Sequence, residues 1–274
     1  MSDPQILNAR ANKSLGQHFL FDPDILNRTA LSAGPVEGRT VIEVGPGPGG
    51  LTAALLRNGA EKVIAVEMDS RFAENLRGWK EHKQGRLSVV EGDGLALDYE
   101  ALVADEKQPV KIIANLPYNV GTPMLVNWIK AGSWRGEMGL MFQHEVAARV
   151  CAQPGDKHYG RLAVLSQAVA NTHIAFTLPP GAFKPPPKVD SSVAVLMPLE
   201  EDKKYPHLST LEKVSAAAFG QRRKMLRASL KSFAKTKGLN ASEWLENCDI
   251  DPTRRAETLT QLEFRALTDR YLSA

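Results

Sequence analysis

Along the first half of the chain, short apolar and β-branched runs alternate with longer stretches whose apolar residues recur every three or four positions. Residues 40–44, 62–67, 86–91, 110–114 and 138–142 form the short runs and predict five strands. The first three are almost continuously apolar at their centres, as strands buried on both faces are. Residues 50–58, 70–83 and 122–130 have the length and period of helices, so the alternation predicts an α/β fold with a doubly wound, mainly parallel sheet. A helix precedes the first strand. Asp22 reads as its N-cap, Pro23 lies in its first turn, Ile25, Leu26, Thr29 and Ala30 form an apolar face, and Gly34-Pro35 stops it.

Later the pattern predicts a helix over 159–170 and strands over 172–177 and 192–197. The link 178–188 carries Pro179, Pro180, Pro185, Pro186 and Pro187, which excludes helix and central strand and predicts a stiff, shaped loop. Past Leu199 comes a polar run, Glu200 to Lys204, and the remainder reads as helices only. The expected organisation is an α/β domain with an N-terminal arm over 1–200 and a small all-helical domain over 201–274. A chain of 274 residues, 43% hydrophobic, can bury one large core and such an appendage.

Charge changes the picture only through its distribution. The formal net charge is +3, too mild to mark a nucleic-acid binder, yet between Lys213 and Ser242 stand eight basic residues and no acidic one. Arg223, Arg227 and Lys231 recur at helical spacing, which predicts one face able to track phosphates. Arg10 and Lys13 in the arm could add to that footprint. Cys151 and Cys248 stand in no metal or redox spacing, and no apolar run reaches the roughly 18 residues of a membrane span. The start of the chain lacks the apolar core of a signal peptide. A cytoplasmic protein without metal or membrane association, monomeric by default, is expected.

The first strand runs straight into Gly45-Pro46-Gly47-Pro48-Gly49-Gly50 and a helix. Glycines there let the backbone turn tightly and approach a ligand at the carboxyl edge of the sheet. Gly45, Gly47 and Gly50 also satisfy the dinucleotide fingerprint, and Glu67 ends the next strand where an acid binds ribose hydroxyls in either class. A nucleoside cofactor is predicted, with NAD and S-adenosylmethionine both open. Two acids favour the second. Glu43 opens a Glu-x-Gly-x-Gly-x-Gly string resembling motif I of S-adenosylmethionine methyltransferases, and Asp93 stands where that superfamily places a carboxylate accepting from the adenine amine.

The fourth strand ends in Asn115-Leu116-Pro117-Tyr118. The lone pair of an adenine N6 is delocalised, so an enzyme methylating it must hold both N–H bonds while the nitrogen pyramidalises toward the electrophile. The Asn115 side-chain oxygen and a main-chain carbonyl can accept those hydrogens. Pro117 biases Leu116 away from helix and aims its carbonyl outward, and Tyr118 can stack on an extruded base.

NLPY at 115–118, EVGPGPGGLT at 43–52, NKSLGQHFL at 12–20, GAFKPPPKVDS at 181–191 and AFGQRRKMLR at 218–227 together resemble the KsgA type of small-subunit ribosomal RNA adenine dimethyltransferase, related to the erythromycin-resistance methyltransferases. The resemblance covers nearly the whole chain. It implies a Rossmann-like methyltransferase domain, S-adenosylmethionine as cofactor, and a cofactor set of His18 (where the family often carries asparagine), Leu20, Gly45, Glu67, Asp93 and Asn115, with Gly47 in the same loop. Phe183 matches an aromatic that would cover the target adenine opposite Tyr118. The implied substrate is a pair of adjacent adenosines in a hairpin loop near the 3′ end of small-subunit rRNA, dimethylated within an immature subunit. Arg222, Arg223, Lys224 and Arg227 are the expected RNA contacts. An NAD-dependent oxidoreductase and a non-enzymatic RNA-binding assembly factor are the rival readings.

Overall fold

The computed structural model describes residues 17–274. Its strands are β1 (Phe19–Leu20), β2 (Thr40–Val44), β3 (Lys62–Glu67), β4 (Leu87–Glu91), β5 (Val110–Asn115), β6 (Arg135–Gln143), β7 (Ala170–Leu178), β8 (Phe183–Lys184) and β9 (Ser191–Pro198). Seven of them form one sheet in the order β4-β3-β2-β5-β6-β9-β7. Pairing is parallel from β4 through β6 and antiparallel between β6 and β9. Strand order reverses between β2 and β5, and a sheet of this kind opens a crevice there, beyond the carboxyl ends of its strands.

The helices follow from local chemistry. Asp22 caps Pro23–Ala30 by accepting the N–H groups of Asp24 and Ile25, and Leu26, Thr29 and Ala30 are its buried positions. Gly50–Arg57 starts directly after the glycine loop. The stretch expected as one helix over 70–83 is two, Ser70–Arg77 and Lys80–Lys83, because Gly78 and an extended Trp79 (φ −68°, ψ 148°) turn the chain and bury the Trp79 ring. Tyr99–Leu102 and His144–Cys151 are further helices that periodicity did not reveal, the first being only one turn long.

In the proline-rich link, Pro180–Ala182 forms a single 3-10 turn and β8 pairs antiparallel with β1, outside the main sheet. The Lys184–Pro185 peptide is cis. The chain divides into two compact units. One comprises the described residues up to Ala147 together with His173–Pro198, and the other Ala148–Thr172 with Leu199–Ala274. The stretch 148–172, assigned to the α/β domain from sequence, therefore belongs to the second unit. There Arg161–Gln167 buries Leu162, Val164 and Leu165, and the Tyr159 hydroxyl donates to the Leu259 carbonyl at 2.9 Å. The Phe219 ring stacks on Phe264 at 5.7 Å and meets Tyr159 edge-on.

The basic segment also departs from its expected form. Residues 220–224 form a turn, Met225 is extended, and two short helices follow, Leu226–Ser229 and Lys231–Lys235. Arg223, Arg227 and Lys231 thus do not share the face of one helix. Helical spacing means nothing where Gly220 and the extended Met225 interrupt the helix.

Candidate cofactor and base-binding cleft

Gly45 leaves β2 at φ +69° and donates its N–H to the Val66 carbonyl at 2.9 Å. Gly47 follows at φ +52°, and a Cβ on it would lie 2.7 Å from Phe19 Cε1. Both positions demand glycine. Glu67, 4% exposed at the end of β3, locks this loop: Oε2 accepts the Gly47 N–H at 2.9 Å and Oε1 the Asp69 N–H at 2.8 Å. Burial raises its carboxyl above the usual range, and the two N–H bonds oppose that rise.

Glu43 is buried in β2 and accepts the Thr52 hydroxyl at 2.6 Å. Burial pushes its carboxyl up to about 8, and the Glu67 charge acts in the same direction. A testable sign follows. With the folded value near 8 and the unfolded value at 4.5, the folded chain binds more protons between those limits, so this residue makes stability fall as pH rises through them. Glu43→Gln is expected to remove that slope, which is at most about 1.4 kcal/mol per pH unit. Calorimetric melting at pH 5 and pH 8.5 checks it: the variant should gain on the parent with rising pH, and a constant difference would contradict the assignment.

Asp93 follows β4, is exposed, and accepts the Leu95 N–H on Oδ1 at 2.9 Å, so it caps the next turn as well as lining the cleft. Asn115 ends β5. Its Nδ2 donates to the His18 carbonyl at 3.0 Å. The Leu116 N–H donates to the Met141 carbonyl at 3.3 Å, and no described residue donates to the Leu116 carbonyl oxygen. Pro117 accepts from Val120 and Gly121, both at 3.1 Å, which starts helix Gly121–Lys130. A Cβ on Gly45 would lie 3.5 Å from Pro117 Cδ, so the glycine loop and the tetrapeptide are immediate neighbours. The Tyr118 hydroxyl lies 2.5 Å from Ser191 Oγ, and burial raises its pKa.

One cleft is lined by His18, Leu20, Gly45, Gly47, Glu67, Asp93 and the whole 115–118 tetrapeptide. Glu43 and Met68 line it too, and Met68 is 51% exposed. Met68 escaped the sequence reading; its only signal is an apolar side chain one position past a strand-ending acid. The described lining holds three acidic side chains, Glu43, Glu67 and Asp93, and neither lysine nor arginine. With no fixed positive charge, such a wall suits a cationic nucleoside.

Phe183 is not brought to the cleft. It is 2% exposed and sits in the apolar core with Leu20, Leu26 and Met141, since pairing of β8 with β1 sets Phe183 opposite Leu20. In the second unit, Arg222 is engaged: Nε donates to Glu257 at 3.0 Å and an Nη to the Lys157 carbonyl at 2.7 Å. Arg223, Lys224 and Arg227 are exposed. Arg10, Lys13 and the first half of the arm motif lie outside the described residues. Among the described residues no cluster of three His, Cys, Asp or Glu could hold a metal, and no helix is long and apolar enough to cross a membrane.

The family model described as ribosomal RNA adenine dimethylase matches residues 8–269. The chain is 54% identical over 263 residues to a ribosomal RNA small subunit methyltransferase A of Agrobacterium fabrum, covering 94% of this chain and 92% of the relative. A protein of the same name from Gluconobacter oxydans is 50% identical, covering 96% and 84%. Among solved structures, a dimethyladenosine transferase from Plasmodium falciparum superposes with a TM-score of 0.76 at 26% identity, covering 91% of this chain and 96% of its own. The 23S rRNA methyltransferase ErmE shares the fold, with a TM-score of 0.69 at 24% identity over 92% and 98% of the chains.

Proposed function

The chain belongs to the ribosomal RNA adenine dimethylase family, and from that premise we propose that it dimethylates the N6 amino groups of two adjacent adenosines in a hairpin loop near the 3′ end of small-subunit rRNA, acting as a cytoplasmic monomer on an immature subunit. The cofactor is S-adenosylmethionine. When bound it supplies a methyl group on a cationic sulfur, and the residues present suit it: a tight glycine loop, Glu67 for ribose hydroxyls, Asp93 for the adenine amine, and a lysine- and arginine-free lining. An NAD-dependent oxidoreductase would leave the Asn115–Tyr118 turn without a role.

The observation that carries the reading is the polarity of the β5 turn. Asn115 spends its Nδ2 on the His18 carbonyl. Its Oδ1 and the Leu116 carbonyl, to which no described residue donates, are therefore the acceptors offered, one for each hydrogen of an exocyclic amine. Holding both N–H bonds draws the nitrogen toward tetrahedral geometry and frees its lone pair. Tyr118, pinned at its hydroxyl by Ser191, offers a ring face to the extruded base. No base is needed before attack, because the methylated amine is acidic enough to release its proton to solvent afterward. Mass spectrometry of rRNA fragments from undermethylated small subunits, incubated with labelled cofactor, tests this. Dimethyladenosine at two neighbouring positions is expected, and label elsewhere or none would refute it.

Arg223, Lys224 and Arg227 in the helical unit are proposed to contact RNA phosphates. Replacing all three with alanine is expected to weaken subunit binding and lower its log–log salt slope by about one for each phosphate no longer neutralised. Arg222 differs, because its removal also frees Glu257 and the Lys157 carbonyl. Filter binding over a salt series reads the slope; an unchanged slope for the triple variant would rule these residues out.

A further inference from the structure

Three segments far apart in the chain meet at His18. Its carbonyl accepts the Asn115 amide at 3.0 Å, its Nδ1–H donates to the Pro185 carbonyl at 2.8 Å, and its ring lies against Tyr118 with centroids 5.2 Å and planes 28° apart. A carbonyl has no proton to give, so Nδ1 carries the hydrogen. We propose that His18 is a positioning residue for the base pocket: it sets which end of the Asn115 amide meets the target amine, and it backs the Tyr118 ring so that the base stacks on the opposite face.

The two ends of an asparagine amide are nearly the same size and opposite in hydrogen-bonding sense. A pocket that must accept hydrogens needs the oxygen inward; a flipped amide sets donor against donor. The His18 carbonyl excludes the flip, since only an N–H can face it. That selection depends on the carbonyl staying in place, and the chain holds it twice. Phe19, the next residue, pairs with Lys184, and the His18 imidazole is tied to Pro185 immediately beyond. The stack on Tyr118 completes the arrangement, because the same tyrosine is fixed at its hydroxyl end by Ser191. The resemblance implies a cofactor contact at position 18, and His18 does line the cleft; its Nδ1 bond to Pro185 and its stack on Tyr118 add the positioning role to that expectation.

This inference rests on the adenine-amine reading above, and the test separates the two. His18→Ala, His18→Phe (ring kept, donor removed) and His18→Asn (donor kept, ring removed) are measured for single-turnover methylation of small subunits and for affinity toward S-adenosylhomocysteine by calorimetry. His18→Ala is expected to slow transfer by roughly tenfold or more with cofactor-product affinity within about twofold, and the other two variants to lose less. In an Asn115→Ala background, His18→Ala should cost clearly less than it does in the parent, since the share carried through the Asn115 amide is already gone and only the share carried through the Tyr118 ring remains. Fully additive losses would overturn the proposal. So would weakened S-adenosylhomocysteine binding with the saturated rate kept, which marks a cofactor contact, or faster transfer by His18→Ala, which marks the imidazole as a block on base entry. If His18→Ala fails to fold, the Phe and Asn variants carry the same comparison. A parent that binds S-adenosylhomocysteine yet methylates no adenine would sink the functional reading instead.

Discussion

Asn115→Ala is expected to slow methyl transfer by about 10²- to 10³-fold, the range seen when one preorganised hydrogen-bond partner of a transition state is removed. Binding to the small-subunit particle should stay within about twofold, because the exposed arginines and lysine of the helical unit lie outside the cleft lining. The loss should fall on kcat and kcat/KM alike, since the amide oxygen acts most strongly as the nitrogen pyramidalises. Single-turnover transfer and particle binding measured on one preparation decide it. Equal loss of both would show that catalysis and docking share these residues.

Gly49→Ala is the second large effect, and it acts on stability. Gly49 sits at φ +93°, and a Cβ there would lie 2.5 Å from Trp79 Cη2 and 3.1 Å from Leu76 Cδ2. Left-handed backbone costs an L residue about 1–2 kcal/mol, and crowding a packed ring adds about 1–3 kcal/mol. A melting-point fall on the order of 5–10 °C follows for a chain of this size. Gly85→Ala is the matched control. Gly85 has φ +78° with nothing within 4 Å of the added carbon, so it carries the strain without the clash. Equal melting-point losses in the two variants would remove Trp79 from the account. Gly49→Ala should also weaken cofactor-product binding, because Gly49 donates to Pro46 and accepts from Ala53 at the join of loop and helix.

The Trp79 contact also shows why one expected helix is two. Periodicity over 70–83 continues through Gly78, and nothing local shows that the chain must bend there to place an indole against Gly49. The sequence likewise shows Phe183 only as an aromatic in a proline-rich loop. Its burial depends on a strand pairing with Leu20, 163 positions earlier in the chain, as the register Leu20↔Phe183 records. Arg222 reads as one of three adjacent cations until Glu257 and Lys157 are brought beside it.

What the amino-acid order determined alone is what contiguous residues carry: the alternation of strands and helices, the glycine turn at the end of β2, the acids ending or following β3 and β4, and the tetrapeptide ending β5. Each is a short stretch whose backbone preference or side-chain chemistry needs no distant neighbour. Only the tertiary structure decided which groups are spent and which are offered. The Asn115 amide is oriented by a carbonyl 97 residues away, Tyr118 is held by Ser191 and His18, and residues 148–172 pack with the helical unit. A hydrogen-bond or packing partner is chosen by where the folded chain brings it, and spacing along the chain does not encode that.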